Sequence, residues 1–99
     1  MHFIVTGFDG TDDEALSRRM AVRESHLAGT AKMREAGTLL FGAAILDDAG
    51  KMIGSSLVVE FPSRHDVDAW LKQEAYVTGD VWRTIDVRPC RISTGLPKS

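Results

Sequence analysis

Arg23, Ser25 and His26 stand within one short polar stretch, and His26 is the residue of this chain best suited to moving a proton. An imidazole facing a cleft can take or give a proton near neutral pH, and a carboxylate beside it fixes its tautomer and favours its charged form. An arginine one helical turn away could hold an anionic or hydroxylated substrate. Glu74 and Tyr76 supply a carboxylate and a phenol at the start of the segment before the last apolar run, where both could project over the end of a sheet. Each also has a plainer reading: His26 as an ordinary helix residue, Glu74 as a solvated helix end, and Tyr76 as an aromatic anchor.

The remaining reactive types give less. His2, His26 and His65 share no metal-binding spacing with one another or with Cys90, so no metal site is expected. No glycine pattern cradles a phosphate and no nucleophile elbow occurs. Cys90, between Pro89 and Arg91, reads as a small structural residue, and a lone cysteine cannot form an internal bridge.

These side chains must be positioned by a chain of 99 residues, 43% hydrophobic and 26% charged, which is ordinary for one globular domain spanning 1–99. A net charge of −2 with scattered Lys and Arg argues against nucleic-acid binding. No apolar stretch approaches the roughly 20 residues needed to cross a bilayer, and a reducing, cytoplasmic setting is expected.

Residues 2 to 9 are β-branched and aromatic and end in Asp9-Gly10, a strand running into a turn. Thr11 with Glu14 forms a candidate capping box for a helix that Gly37 stops. Leu16, Met20, Leu27 and Ala31 predict its buried face, and Arg23-Glu24-Ser25 offers a break in the middle. Residues 38 to 46 and 52 to 61 predict a β-hairpin around Asp47 to Lys51. Ser63 with Asp66 caps a second helix, with Val67, Trp70 and Leu71 inward, ending near Glu74. A loop from Glu74 to Asp80 then leads to a strand over 82 to 92, with Pro89 marking an edge, and to a frayed tail, Ser93 to Ser99. The order βαββαβ predicts an α+β, ferredoxin-like fold: a four-stranded antiparallel sheet with two helices on one face and the first and third strands central.

Both faces of that sheet are apolar. Phe3, Val5, Leu39, Phe41, Ile45, Ile53, Leu57, Val59, Ile85 and Val87 predict one face; Ile4, Phe8, Leu40, Leu46, Met52 and Val58 fall on the other. At about 25 cal/mol per Å² of apolar area, leaving half a dozen such side chains wet forgoes on the order of 10 kcal/mol. A homodimer packing sheet against sheet is the simplest cover, and a monomer with a bare face is the alternative.

Read together, R-x-x-H-L (Arg23, His26, Leu27), E-A-G-T-L-L-F-G (Glu35 to Gly42), G-S-S (Gly54 to Ser56), Trp70 in the short helix and E-A-Y (Glu74 to Tyr76) give a chain that resembles the YCII-related family over nearly its whole length. The resemblance implies a dimeric α/β barrel and a cleft holding a histidine and a carboxylate as catalytic groups. It assigns those roles to His26 and Glu74. The family's D-P-Y reads Glu74-Ala75-Tyr76 here, so charge is kept while side-chain length and the rigid proline change; Asp80 is the second candidate carboxylate. The implied chemistry resembles lyase or dehydrochlorinase action on small hydroxylated aromatic compounds, without a cofactor. Arg23, Ser25 and Tyr76 are then expected to bind substrate. A non-catalytic small-ligand or regulatory module on the same fold is the rival reading, and an accessory structural role the third.

Overall fold

The computed structural model describes residues 1–93; the expected frayed tail lies outside that range beyond its first residue. Its elements are β1 (His2–Asp9), α1 (Ala15–Ala36), β2 (Leu39–Leu46), β3 (Met52–Glu60), α2 (Arg64–Leu71), α3 (Ala75–Thr78) and β4 (Trp82–Cys90). The antiparallel sheet runs β2-β3-β1-β4, so β1 and β3 are central as expected. Pro89 lies on the edge strand opposite Phe3, where proline is tolerated.

The start of α1 differs from the expected capping box at Thr11. The helix begins at Ala15, with Glu14 at its N-cap and no side-chain cap bond. Asp12 instead accepts both terminal nitrogens of Arg18, at 2.8 and 2.6 Å, and the Glu14 amide at 3.3 Å. A two-pronged, charge-assisted contact of this kind outweighs a hydroxyl cap. The Arg18 guanidinium holds the Asp12 carboxyl far below the ordinary carboxylate range.

No break occurs at Arg23-Glu24-Ser25: α1 runs unbroken to Gly37. Without proline, extending a helix is cheaper than restarting one. Gly37 takes φ of 80°, and the Gly37 and Thr38 amides close the end onto the Arg34 and Met33 carbonyls.

The inward face of α1 is also not the expected one. Ala15, Arg19 and His26 are buried and Val22 and Met33 half-buried, whereas Met20 and Leu27 are 51% and 45% exposed. The helix is turned so that polar groups face inward, which is tolerated only where each meets a partner. The core beneath it is Phe3, Val5, Leu39, Leu57, Val59, Val67 and Val81.

The sheet faces also divide differently from expectation. Leu39 pairs with Val59, but a bulge makes Phe41 pair with Val58 and Ile45 with Gly54. One extra residue reverses the alternation, so Phe41 and Ile45 join Phe8 and Val58 on the face away from the helices. Phe8, Phe41 and Leu46 are 44%, 49% and 55% exposed there, and nothing within the described residues covers them.

The segment expected as a loop from Glu74 to Asp80 contains α3, a single turn capped by Glu74. Gly79 closes it. A Cβ at Gly79 would lie 2.8 Å from the Ala75 carbonyl oxygen and 3.0 Å from Val22, so glycine is what lets this turn seat against α1.

Candidate active site

Three elements converge on one spot: the middle of α1, the end of β1, and α3. The first tie is a buried ion pair. Arg19 donates to both carboxylate oxygens of Asp9, at 3.0 and 3.1 Å, and to the Ser55 hydroxyl at 2.8 Å. Arg19 is 2% exposed, and its Nε has no partner. Removing either member would leave a charge stranded in the interior, so the pair fixes the register of α1 over the sheet.

Tyr76 is the second tie. Its ring packs against both the Arg19 guanidinium, 4.6 Å from the ring centre, and the His26 imidazole, stacked at 3.8 Å with the planes 11° apart. Arg19 and His26 are seven residues apart on α1, hence on one face of the helix and able to grip one ring. Burial pushes the Tyr76 phenol above its ordinary value, against the opposing pull of Arg19 and Arg23. Trp82 closes the cluster edge-on, 6.1 Å from His26 and 5.6 Å from Tyr76.

Glu74 completes it. As the N-cap of α3 its Oε1 accepts the Tyr76 amide at 3.1 Å. The same oxygen accepts a hydrogen bond from His26 Nδ1. Both partners are buried, His26 at 8% and Glu74 at 5% exposure. A carboxylate can only accept, so the Nδ1 hydrogen lies toward Glu74 and Nε2 is the ring nitrogen left for other work.

His26 and Tyr76 line a cavity of about 210 Å³, together with Arg19, Arg23, Arg34, Thr30 and Ser55 on its polar side and Leu27, Leu39, Gly42 and Leu57 on its apolar side. Among the described residues, no Asp or Glu lines it. The arrangement can hold an anion beside an oriented imidazole, which is the geometry of proton abstraction next to a charge-stabilising group.

The expected residues therefore divide. Arg23, His26 and Tyr76 reach the cavity, with Glu74 behind the ring. Ser25 does not: one step along the helix from His26, it lines a second hollow with Gly29, Trp70 and Gln73, on whose wall Glu74 also lies. Asp80 instead pairs with Arg83 at 3.1 Å, its side chain 70% exposed, and is not among the cavity-lining residues. His2 pairs with Glu60 on the sheet, and no three His, Cys, Asp or Glu among the described residues gather as a metal site. Arg19, Asp9 and Ser55 were not anticipated. The seven-residue spacing of Arg19 to His26, continued by Ala15 and Val22, marks one helix face, but nothing in it marks the arginine as buried or points to Asp9 and Ser55 as its partners.

The change from D-P-Y has a local explanation. Ala75 occupies the first position of a helical turn, where proline is favoured for its fixed φ, and Glu74 occupies the cap. The longer glutamate reaches from the cap to the ring, so the departure alters the end of an element while the contact is made.

A family model described as the YCII-related domain matches residues 1–91. Protein YciI of Escherichia coli O6:H1 and that of Shigella flexneri are each 30% identical to this chain over 95 residues, spanning 90% of it and 95% of the relative. Among solved structures, a 5-chloro-2-hydroxyhydroquinone dehydrochlorinase from Burkholderia phenoliruptrix, in complex with 2,5-dihydroxybenzoquinone, superposes with a TM-score of 0.81. That likeness covers 94% of this chain and 96% of the other at 19% identity, and is a likeness of fold.

Proposed function

The chain belongs to the YCII-related family, and from that premise we propose that it is a lyase-type enzyme removing a proton and a leaving group from a small hydroxylated compound. The dehydrochlorinase with the same fold supports this class of reaction. The observation that carries it is the buried His26–Glu74 contact beside a cavity that no Asp or Glu among the described residues lines.

In the proposed step, His26 Nε2 takes a proton from a ring hydroxyl and returns it to the chlorine-bearing carbon, the O–H pair becoming a ring carbonyl and a ring C=C pair forming the new C–H bond. It then takes a second hydroxyl proton; that O–H pair becomes a second carbonyl, the ring electrons shift onto the tetrahedral carbon as a new double bond, and chloride departs with its own bonding pair to leave a quinone. Glu74 holds the ring in the productive tautomer and balances the imidazolium that forms. Arg23 faces the oxyanion that accumulates. Tyr76, neutral because burial disfavours phenolate, is the platform on which the ring rests. Every group in this step belongs to the chain.

The same reading makes the protein a homodimer, its bare sheet face covered by a second copy around Phe8, Phe41 and Leu46. No helix among the described residues is long and apolar enough to cross a membrane.

The test is turnover of chlorinated hydroxyhydroquinones, followed by chloride release. A His26→Gln variant is expected to lose about a hundredfold to ten-thousandfold in kcat, as for other positioned acid–base groups. Chloride release unchanged in that variant would dispose of the mechanism.

A further inference from the structure

The cavity beside His26 carries more positive charge than proton abstraction needs. Of its three guanidinium groups, Arg19 is neutralised by Asp9. Arg23 and Arg34 have no carboxylate within ion-pairing distance among the described residues. Glu74, the nearest acid behind the wall, is engaged by His26 and the Tyr76 amide. Two arginines thus edge one small cavity without counter-ions of their own.

Their spacing is informative. Arg23 lies within one turn of His26 on its N-terminal side, while Arg34 follows eight residues later, a rise of about 12 Å along α1. Placement in the last turn suits Arg34 electrostatically but leaves its donors unused. One arginine is therefore anchored within a turn of the imidazole and the other at the far end of the same wall.

Size and shape narrow the occupant. A void of about 150 Å³ takes one benzene ring, so the 210 Å³ here suits a single ring with small substituents. On the opposite wall β2 presents Gly42 and Ala44, across from Leu57 and Ser55, which leaves room for a flat molecule against the strand. A planar guanidinium fork matches a carboxylate in two-point contact.

We infer that the cavity takes a hydroxylated single-ring molecule bearing a carboxylate, the carboxylate on Arg34 and the hydroxyl end between Arg23 and His26. The inference rests on the acid–base reading only for which end reacts; selection for the carboxylate is independent of it. Arg34 is thereby a specificity residue that no proton transfer requires.

The experiment compares 2,5-dihydroxybenzoate with hydroquinone, which lacks only the carboxylate, by NMR titration of the intact protein, of Arg34→Gln and of His26→Gln. Wild type is expected to prefer the carboxylate probe by about tenfold to a hundredfold, the effect of one charged hydrogen-bonding contact. Arg34→Gln should abolish that preference while leaving hydroquinone binding and the melting temperature unchanged, because the side chain is exposed. His26→Gln should keep it. Equal affinity for the two probes, no binding of either, or a preference that survives Arg34→Gln overturns the inference. Should the preference behave as expected while chloride release survives in His26→Gln, the acid–base mechanism fails and the carboxylate site stands.

Discussion

A histidine bonded through Nδ1 to a buried acid is worth little as a base unless that acid also stays put, and Glu74 is held by the Tyr76 amide as well as by the ring. Glu74→Gln should therefore lower kcat by about a hundredfold or more with modest change in KM, because a neutral amide stabilises imidazolium poorly. The double variant Glu74→Asp, Ala75→Pro, which restores the family form, should stay within about tenfold of wild type. Tyr76, the chain's only tyrosine, gives a clean optical titration. Its phenol should ionise above the ordinary value of 10.0, so the folded state keeps its proton longer than the unfolded one. Stability is accordingly full below that value and declines as pH rises through the folded-state value; an ionisation at the ordinary value would show the ring to be solvated. Arg19→Met should cost about 3–5 kcal/mol in urea unfolding, since Asp9 is left buried without its partner. His26 and Glu74 were legible in the sequence through residue type and family pattern. Arg19 was not, because a buried arginine looks like a surface one until its partner, from a different element, is brought alongside.

Whole elements show the same division between local and tertiary signals. The strands, the hairpin and the Ser63 cap of α2 follow from alternation and turn chemistry that the sequence carries locally. The four-residue α3 has too little length to show a period, and the β2 bulge depends on pairing with β3, so neither could be read from a single segment. The apolar residues Met20 and Leu27 suggested the wrong face of α1 because the true inner face is half polar. Gly79→Ala tests the seating of α3 directly: the added methyl meets the Ala75 carbonyl and Val22, and a loss of about 1–3 kcal/mol in thermal stability is expected. At the start of α1, the Asp12 carboxyl is held low by Arg18. What the contact contributes is present above the ordinary 3.8 and is lost only as pH falls below it, and Arg18→Gln should return the Asp12 titration to the ordinary value.

For the molecule as a whole, one face of the sheet supports the site while the other is apolar and, among the described residues, uncovered. Phe41→Asp on that face should convert a dimer into a monomer in analytical ultracentrifugation; a wild-type protein that is monomeric at micromolar concentration would contradict the proposed pairing. Everything on the helix side, from Asp9 and Arg19 through Tyr76 to Glu74, converges on the orientation of one imidazole. The most direct measurement is the nitrogen NMR spectrum of the His26 ring in the resting protein, with and without Glu74→Ala, which removes the accepting oxygen. The Nδ1 proton should be locked toward Glu74, with Nε2 the nitrogen that is bare whenever the ring is neutral, and the substitution should release this preference. A neutral ring carrying its proton on Nε2, or a mixture of tautomers indifferent to residue 74, would contradict the account.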